Sequence, residues 1–598
     1  MNAINAGSGK TPRKLGAALL GPVILSLFAA SPALAQEAGV SPAAAPAAEG
    51  PSTNATVNLI RLLVEQKVIS AEAGQALLTQ AEGEAAEARA RVAAAPPPPA
   101  DGTQRVPYVP QVVRDQIRDE IKAEVMASAQ TQGWVAPNTM PDWVDRVKIT
   151  GDIRFRNESN LFSNTNSNEI VDWDAFNGLG PTDFVGVLQT PPVGIPLLNS
   201  RVDRTNIVSI RARIGIEGQV TEGITAGFRL ASGNNGGPIS TTQLLGGGFD
   251  KKAIWLDRAY ITMKPWDFAT VTAGRMAIPF FYTDMIWDED LNFDGLAVQM
   301  ESGDRFGESF ALFGTAGYFP FEQTLENFPT FSRSKAEPRD KYILAAQLGA
   351  DITTGSFETR LAASYYDYTN VRGLRSEPCR LFEGDPQCST DLTRPNRMVK
   401  GNTLFLLRDI VPASPTDISQ PQFVGLLFDY NILDLNAQVK YNVSDDLSVM
   451  LSGNYIRNLA FDRDDICNNT GTIGPINSLG GNGAGNGLAC GAGSDTSNFA
   501  GSGTAWLAGL TIGKGKLAKQ GEWNAFAQYK HIGSDAVLDL LNDSDFRLGG
   551  TNSKGYVLGA NYMAFDGTRF RIRWLSADEI IGPPLAVDVL QLDLVVNF

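Results

Sequence analysis

The side chains of this sequence that could do chemistry are mostly charged, and they fall into two groups. Acidic residues crowd into one short segment, which carries Asp284, Asp288, Glu289, Asp290 and Asp294. Arginines instead recur in segments with alternating polarity, such as RFRIRW, and the candidate set is Arg154, Arg156, Arg211, Arg213, Arg229, Arg258, Arg275, Arg571 and Arg573. Carboxylates that face guanidiniums across a water path create a transverse field, which orients ions and filters them by charge.

Two interpretations of these charges are open at this point. The arginines either select solutes or only pair with acids of the interior and hold the wall together. Bond-making chemistry has little support, since His531 is the only histidine, no Gly-x-Ser-x-Gly element surrounds a serine, and no Cys-x-x-Cys occurs. We therefore expect no enzyme activity, no metal site and no cofactor.

The composition excludes further classes of protein. The formal net charge of −15 argues against nucleic acid as a partner, because phosphate binding needs a basic surface. After the N-terminus, no segment of the 598 residues offers the roughly 20 consecutive apolar residues of a membrane helix.

The N-terminus has the pattern of a secretory signal peptide over residues 1–35. Three basic residues, Lys10, Arg13 and Lys14, precede an apolar stretch and the small-residue site Ala33-Leu34-Ala35. We expect cleavage after Ala35, and a retained anchor is the alternative.

The next segments predict helices separated by linkers. Residues 36–54 are a flexible segment rich in Ala and Pro, and residues 55–94 are typical of a helical periplasmic neck. A Pro-rich linker follows over 95–111, and a further helix with a lead-in occupies 112–146. Its apolar stripe suits either a coiled coil or a solvated helical linker.

From residue 147 the hydrophobic period changes to two, which predicts strands. Sixteen candidates occur, the first in KITGDIRFRN and the others near 206–218, 224–232, 252–264, 268–275, 294–302, 307–317, 341–352, 356–368, 430–442, 447–457, 504–513, 521–532, 554–565, 569–576 and 587–598. Their connections alternate between short turns such as VTEG and long loops such as 369–429.

This alternation of loop lengths predicts an all-β fold, a transmembrane antiparallel β-barrel over 147–598 with about 16 strands, or 18 as the alternative count. Aromatic residues near strand ends fit the interfacial girdles of such a barrel, namely Trp506, Trp523, Tyr529, Tyr556, Tyr562 and Trp574. The last strand places apolar side chains at every second position, at Leu590, Leu592, Leu594, Val596 and Phe598.

The signal peptide, helical neck, Pro-rich spacer and the segment GRMAIPFFYTDMIWDEDLNFDGLAVQM resemble the putative-porin family of proteobacterial outer membranes, over most of 147–598. The resemblance implies that the protein lies in the outer membrane of a Gram-negative bacterium. Lipid would then surround the barrel, and the N-terminal segment would lie in the periplasm. The last strand resembles the C-terminal signal of bacterial outer-membrane proteins, which implies that the barrel-assembly machinery reads it. A resemblance to general porins implies that the loop after the fifth strand folds into the lumen and that the protein is a homotrimer.

The four cysteines lie in two long loops predicted at the outer rim. An even count in an oxidising compartment favours two local disulfides, Cys379 with Cys388 and Cys467 with Cys490. Pairing between the two loops is the alternative.

Two functions fit these observations. The first is an outer-membrane porin, a water-filled diffusion channel for small hydrophilic solutes or ions with a charged constriction. The second is an envelope tether, in which the N-terminal helices bind peptidoglycan or a partner and the barrel is an anchor. Deletion of 55–130 separates the two, because a tether would lose envelope integrity while its conductance survives.

Overall fold

The computed structural model describes residues 146–598 except 185–193, 234–236, 382–385, 472, 477–489 and 491–495, and it also describes Gln75 and Thr79. Gln75 and Thr79 are helical, and the Thr79 hydroxyl donates to the Gln75 carbonyl at 3.0 Å. The other predictions for the signal peptide, the neck, the linker and the second helix fall outside the described residues.

Sixteen long strands form the body of the structure, and each pairs antiparallel with its neighbours in sequence. They are β1 Val147–Phe162, β2 Arg204–Thr221, β3 Ile224–Ser232, β4 Ile254–Trp266, β5 Ala269–Ala277, β6 Asn292–Glu301, β7 Phe310–Glu322, β8 Lys341–Thr354, β9 Phe357–Thr369, β10 Tyr430–Asn442, β11 Ser448–Asn458, β12 Thr504–Gly513, β13 Trp523–Ile532, β14 Ser553–Phe565, β15 Thr568–Glu579 and β16 Val587–Asn597. Strand β1 also pairs with β16, so the sheet closes into a barrel and the prediction of sixteen strands is confirmed.

Alternating polarity explains why these segments are barrel strands. On β1, Ile153 and Phe155 point outward and are 45% and 46% exposed, whereas Arg154 and Arg156 between them point inward and are buried. The outer face is therefore apolar and suits lipid, while the inner face carries the charges. The aromatic residues of the predicted girdles are all exposed on the outer face.

The loops contain the remaining short elements. Where the structure describes them, these loops contain two helices, α1 Trp173–Gly178 and α2 Asp465–Thr470. They also contain four 3-10 turns, at Gly303–Phe306, Asp391–Thr393, Thr496–Asn498 and Phe546–Leu548. Short strands pair Leu404–Leu406 with Val424–Leu426 and Thr182–Asp183 with Pro421–Gln422, and Gln243–Leu244 adds to β2. In the described part of the chain, no helix has both the length and the apolarity to cross a membrane.

The C-terminal residue takes part in closing the barrel. The amide of Phe598 donates to the Gly151 carbonyl at 3.0 Å, and the Gly151 amide donates to the Phe598 carbonyl at 2.8 Å. Four alternate residues of this strand, Leu590, Leu592, Val596 and Phe598, are exposed on the outer face, and Leu594 between them is half-buried. The chain end is thus part of the sheet.

The inside of the barrel is less polar than the strand pattern alone predicts. Long loops enter the lumen and pack an apolar core against the wall, in which Phe280, Trp287 and Phe293 of one loop and strand meet Phe319 and Tyr366. A second cluster lies among the loops between β9 and β12 and includes Phe405, Phe428 and Phe499. The lumen is therefore partly filled.

The two local disulfides are present in these loops. Cys379 bonds Cys388 and Cys467 bonds Cys490, so the predicted local pairing is confirmed and pairing between the loops is excluded. A buried ion pair between Arg408 and Asp391, with a 2.6 Å contact, fixes the first of these loops close to its disulfide.

Candidate constriction site

Two loops that lie far apart in sequence meet inside the barrel. Loop A is residues 278–291, after β5, and loop B is residues 533–552, after β13. The Asp288 amide donates to the Leu541 carbonyl at 2.8 Å, and the Asp543 amide donates to the Asp284 carbonyl at 2.9 Å. The Asp288 carboxylate also accepts the Ser544 amide at 2.9 Å. Loop B therefore braces loop A within the lumen.

A single lysine of the wall holds both loops. Lys530 on β13 is fully buried, and its ammonium lies 2.7 Å from a carboxylate oxygen of Asp284 and 2.7 Å from one of Asp543. The ammonium also lies 5.2 Å from the ring centre of Phe546 in loop B. The alternation of β13 aims Lys530 inward and places His531 on the outer face, where the imidazole stacks on Trp506.

Three strands on one side of the barrel supply the basic wall. Arg154 and Arg156 stand on β1, Arg211 and Arg213 on β2, and Arg571 and Arg573 on β15. Because side chains at alternate positions share a face, each pair points into the lumen. Strand β16 separates β15 from β1 in the sheet, and its Asp593 lies opposite both Arg156 and Arg571 in the strand register.

Most of these arginines have acidic partners. Arg156 bonds Asp593 at 2.7 Å and Asp545 of loop B at 3.2 Å, and Arg573 also contacts Asp545. Arg211 and Arg213 each bond Asp290 of loop A at 3.0 Å and share Asp152 on β1. These pairs fix both loops to the wall.

Glu289, near the C-terminal end of loop A, differs from its acidic neighbours. Its side chain is 59% exposed, and its nearest cation is Arg154, with a nitrogen to oxygen distance of 4.0 Å. Enclosure by the protein acts to raise the pKa of Glu289, but the guanidiniums of Arg571, Arg573, Arg211 and Arg154 lower this pKa to about 2. Glu289 is therefore a charged carboxylate that faces water in the lumen.

The charged groups surround a polar cavity of about 90 Å³. Loop A contributes Asp284, Asp288, Glu289 and Asp290, loop B contributes Asp543, Ser544 and Asp545, and the wall contributes Arg154, Arg156, Arg571 and Arg573. Ser240 and Thr242 from the loop before β4 complete the lining, and the Arg154 guanidinium donates to the Thr242 hydroxyl at 2.5 Å. The arrangement can orient and select charged solutes by its field.

Six of the candidate residues from the sequence do not line this cavity. Arg211 and Arg213 bond Asp290, which does line it, and the other four have their partners elsewhere. Arg229 pairs with Asp257, Arg258 donates to Asn292 at 2.6 Å, and Arg275 bonds Asp294 at 2.9 Å. Arg275 and Asp294 instead line a second, more apolar cavity.

Sequence reasoning missed the residues that anchor the loops, namely Lys530, Asp543, Asp545, Asp152 and Asp593. A signal for two of them exists, since SDAVLDLLNDSDF in loop B is as rich in aspartate as loop A. Lys530 and Asp593 stand at inward positions of their alternating strands. Among the described residues, no cluster of His, Cys, Asp and Glu has the arrangement to hold a metal ion.

Comparison with known proteins gives one family. A family model described as "Putative porin" matches residues 53–598. No curated protein matches the chain.

Similar solved structures include several porins of low identity. A triple mutant of the Rhodopseudomonas blastica porin is 13% identical, with 76% of this chain and 100% of that chain covered and a TM-score of 0.31. OprB of Pseudomonas putida at high pH is 12% identical, with 76% and 96% covered and a TM-score of 0.39. A loop-deletion mutant of OmpT, an outer membrane protein of Vibrio cholerae, is 10% identical, with 76% and 100% covered and a TM-score of 0.33. At these TM-scores no functional detail carries over.

Proposed function

Because the chain belongs to the family of putative porins, we propose that the polar cavity between loops A and B and the basic wall is the charge filter of its channel. The protein is an outer-membrane porin with a closed sixteen-stranded barrel. The observation that carries the proposal is Glu289, a water-exposed carboxylate on the loop side that faces the wall arginines across the cavity.

The division of charge supports a transverse field. Glu289 lies on one side, and Arg154 and Arg571 lie on the other with the fewest acidic contacts of the six wall arginines. The Nε atoms of Arg154 and Arg571 have no hydrogen-bond partner among the described residues. An anion passing the cavity would meet these guanidiniums, and a cation would meet Glu289.

The remaining assignments follow from the same function. We assign the chain a non-enzymatic role and small hydrophilic solutes or ions as its cargo. The N-terminal segment lies in the periplasm, and the barrel-assembly machinery reads the last strand. Assembly as a homotrimer in outer-membrane lipid completes the proposal.

The substitution Glu289→Gln tests the filter with the least disturbance, because Asp288 and Asp290 also hold loop A in place. Removal of the exposed carboxylate leaves the arginines less compensated. We expect the anion-to-cation permeability ratio to rise about twofold or more, which corresponds to about 0.4 kcal/mol or more. Reversal potentials in planar bilayers under a salt gradient measure this ratio.

Asp446→Asn is the matched control, since it removes one carboxylate from an exposed turn between β10 and β11. This variant should keep the reversal potential of the native channel. An unchanged permeability ratio in Glu289→Gln would exclude the cavity as the charge filter.

A further inference from the structure

A second cavity, of about 230 Å³, lies at the long-loop end of the barrel beside the polar cavity, which is called the charged cavity from here on. It reaches Glu322, the last residue of β7, and Lys341, the first residue of β8, which the loop 323–340 connects. Its floor is aromatic and consists of Trp287, Phe293 and Phe319, each at most 5% exposed. We call it the aromatic cavity.

Loops A and B each contribute apolar side chains to the aromatic cavity and charged side chains to the charged cavity. In loop A, Trp287 and Leu291 line the aromatic cavity, whereas Glu289 between them lines the charged one. In loop B, Leu541 lines the aromatic cavity and Asp543 lines the charged one. The backbone bond between Asp288 and Leu541 joins the loops where the two linings meet.

The charged groups that line the aromatic cavity already have partners. Arg397 lies 3.8 Å from Asp174, and the Asp539 carboxyl accepts the Val399 amide at 3.0 Å. Lys341 bonds Glu322 at 2.9 Å and also donates to the Arg394 carbonyl at 3.0 Å. Arg275 bonds Asp294 at 2.9 Å. An ion would have to displace one of these partners, whereas an uncharged polar group can share their hydrogen bonds. The site therefore suits a neutral, partly apolar solute.

We propose that the aromatic cavity is a binding site for a small neutral compound with one apolar ring and one polar substituent. An engineered apolar cavity of about 150 Å³ takes up benzene, so the larger volume here fits a ring with a substituent. Aromatic walls with a few polar groups at the edge are typical of small-molecule sites. The proposal goes beyond passage of hydrophilic solutes, because binding here needs no ion flow.

Equilibrium binding of 4-fluorobenzyl alcohol to the purified, detergent-solubilised full chain tests the site, with fluorine NMR as the readout. We expect saturable line broadening beyond that of detergent micelles alone. Leu540 is a half-buried residue that lines the cavity, so Leu540→Trp fills its space and should weaken binding at least tenfold. Phe321→Ala removes a lining ring and should weaken binding several-fold.

Phe526→Ala is the matched control, because Phe526 is also a half-buried ring against the same core but does not line the cavity. Its affinity should equal that of the native chain. Altered migration on unboiled gels identifies folded variants. If Leu540→Trp does not fold, the affinity of Phe321→Ala alone tests the site. Unsaturable binding, or equal affinity in the native chain and the folded cavity variants, would overturn the proposal.

Conductance measurements on the same preparation test the charge filter separately. Ion-selective conductance without binding rejects the aromatic site and leaves the filter intact. Saturable binding without conductance rejects the channel and leaves the site.

Discussion

At the scale of single residues, Lys530 links the two loops that form the constriction. Its ammonium is the only wall cation that bonds loops A and B at once among the residues that the structure describes. Removal of one member of a buried charge cluster costs about 3–5 kcal/mol, because the remaining charges lose their compensation. The geometry of the constriction thus depends on a residue that does not select solutes itself.

Lys530→Met should therefore release the loops, since Asp284 and Asp543 would face each other without a cation. We expect a higher and noisier single-channel conductance in planar bilayers. Lys554→Met is the control, because Lys554 stands opposite His531 on the outer face of the neighbouring strand. Native conductance in Lys530→Met would show that Lys530 does not position the loops.

Two aspartates of loop B make the loop contacts sensitive to pH. Burial raises the pKa of Asp539 to about 7, against the amide of Val399 and the charge of Lys400, which lower it. Burial likewise raises the pKa of Asp535 to about 6. The nearby Asp174 carboxylate raises the pKa of Asp539 further, and burial lowers the pKa of Lys400 to about 7.

A carboxyl whose pKa is raised in the folded loop favours the neutral form there. The contact between loop B and segment 398–403 is then most stable in acid and loses stability as the pH rises from about 4 to about 7. Lys400 gains or loses its charge only at the upper end of this window. Deprotonation of either aspartate therefore weakens this contact as the pH rises.

We expect amides of loop B to exchange hydrogen faster at pH 7 than at pH 5, after correction for intrinsic chemistry. Asp539→Asn keeps an acceptor for the Val399 amide, at 3.0 Å in the native chain, and removes one titrating group. This variant should show a smaller difference between the two pH values. Greater protection of the native loop at pH 7 would contradict the assignment.

At the scale of elements, the seam between β1 and β16 shows how the chain end closes the barrel. A Cβ at Gly151 would lie 2.5 Å from the ring of Phe598 and 2.7 Å from the Arg213 carbonyl. The Phe598 ring thus occupies the space that the absent side chain leaves. A glycine in this strand is required by close packing at the seam.

Gly151→Ala should weaken the seam, because such overpacking costs about 1–3 kcal/mol. We expect the folded form on unboiled gels to disappear at a lower temperature than in the native protein. Gly218→Ala on β2 is the control, since a Cβ there meets no atom within 4 Å. Equal thermal stability of the two variants would show that packing at Gly151 does not limit the stability of the barrel.

At the scale of the whole molecule, alternation of polarity explains why the barrel was predictable. A strand between lipid and lumen must change polarity at each residue, so β1, β15 and β16 are visible in the sequence alone. The ends of the strands were predicted less accurately. For example, β15 continues to Glu579, whereas the alternating pattern ends near 576. The N-terminal predictions remain predictions.

The interior was predictable only in part, because it depends on contacts between distant segments. Asp284 and Lys530 are 246 positions apart, and no local pattern connects them. The apolar residues in FFYTDMIW gave a hint that loop A packs on a core, yet their partner Tyr366 stands on β9. Loop packing follows side-chain shape and charge matching, which periodicity does not encode.

The central claim is that ions pass Glu289, and a single thiol tests it most directly. All four native cysteines are in disulfides, so Glu289→Cys introduces one free thiol. We expect a charged methanethiosulfonate reagent to reduce the single-channel current of this variant in a discrete step and to leave the native channel unaffected. Complete modification of the thiol with no change in current would place Glu289 outside the conduction path.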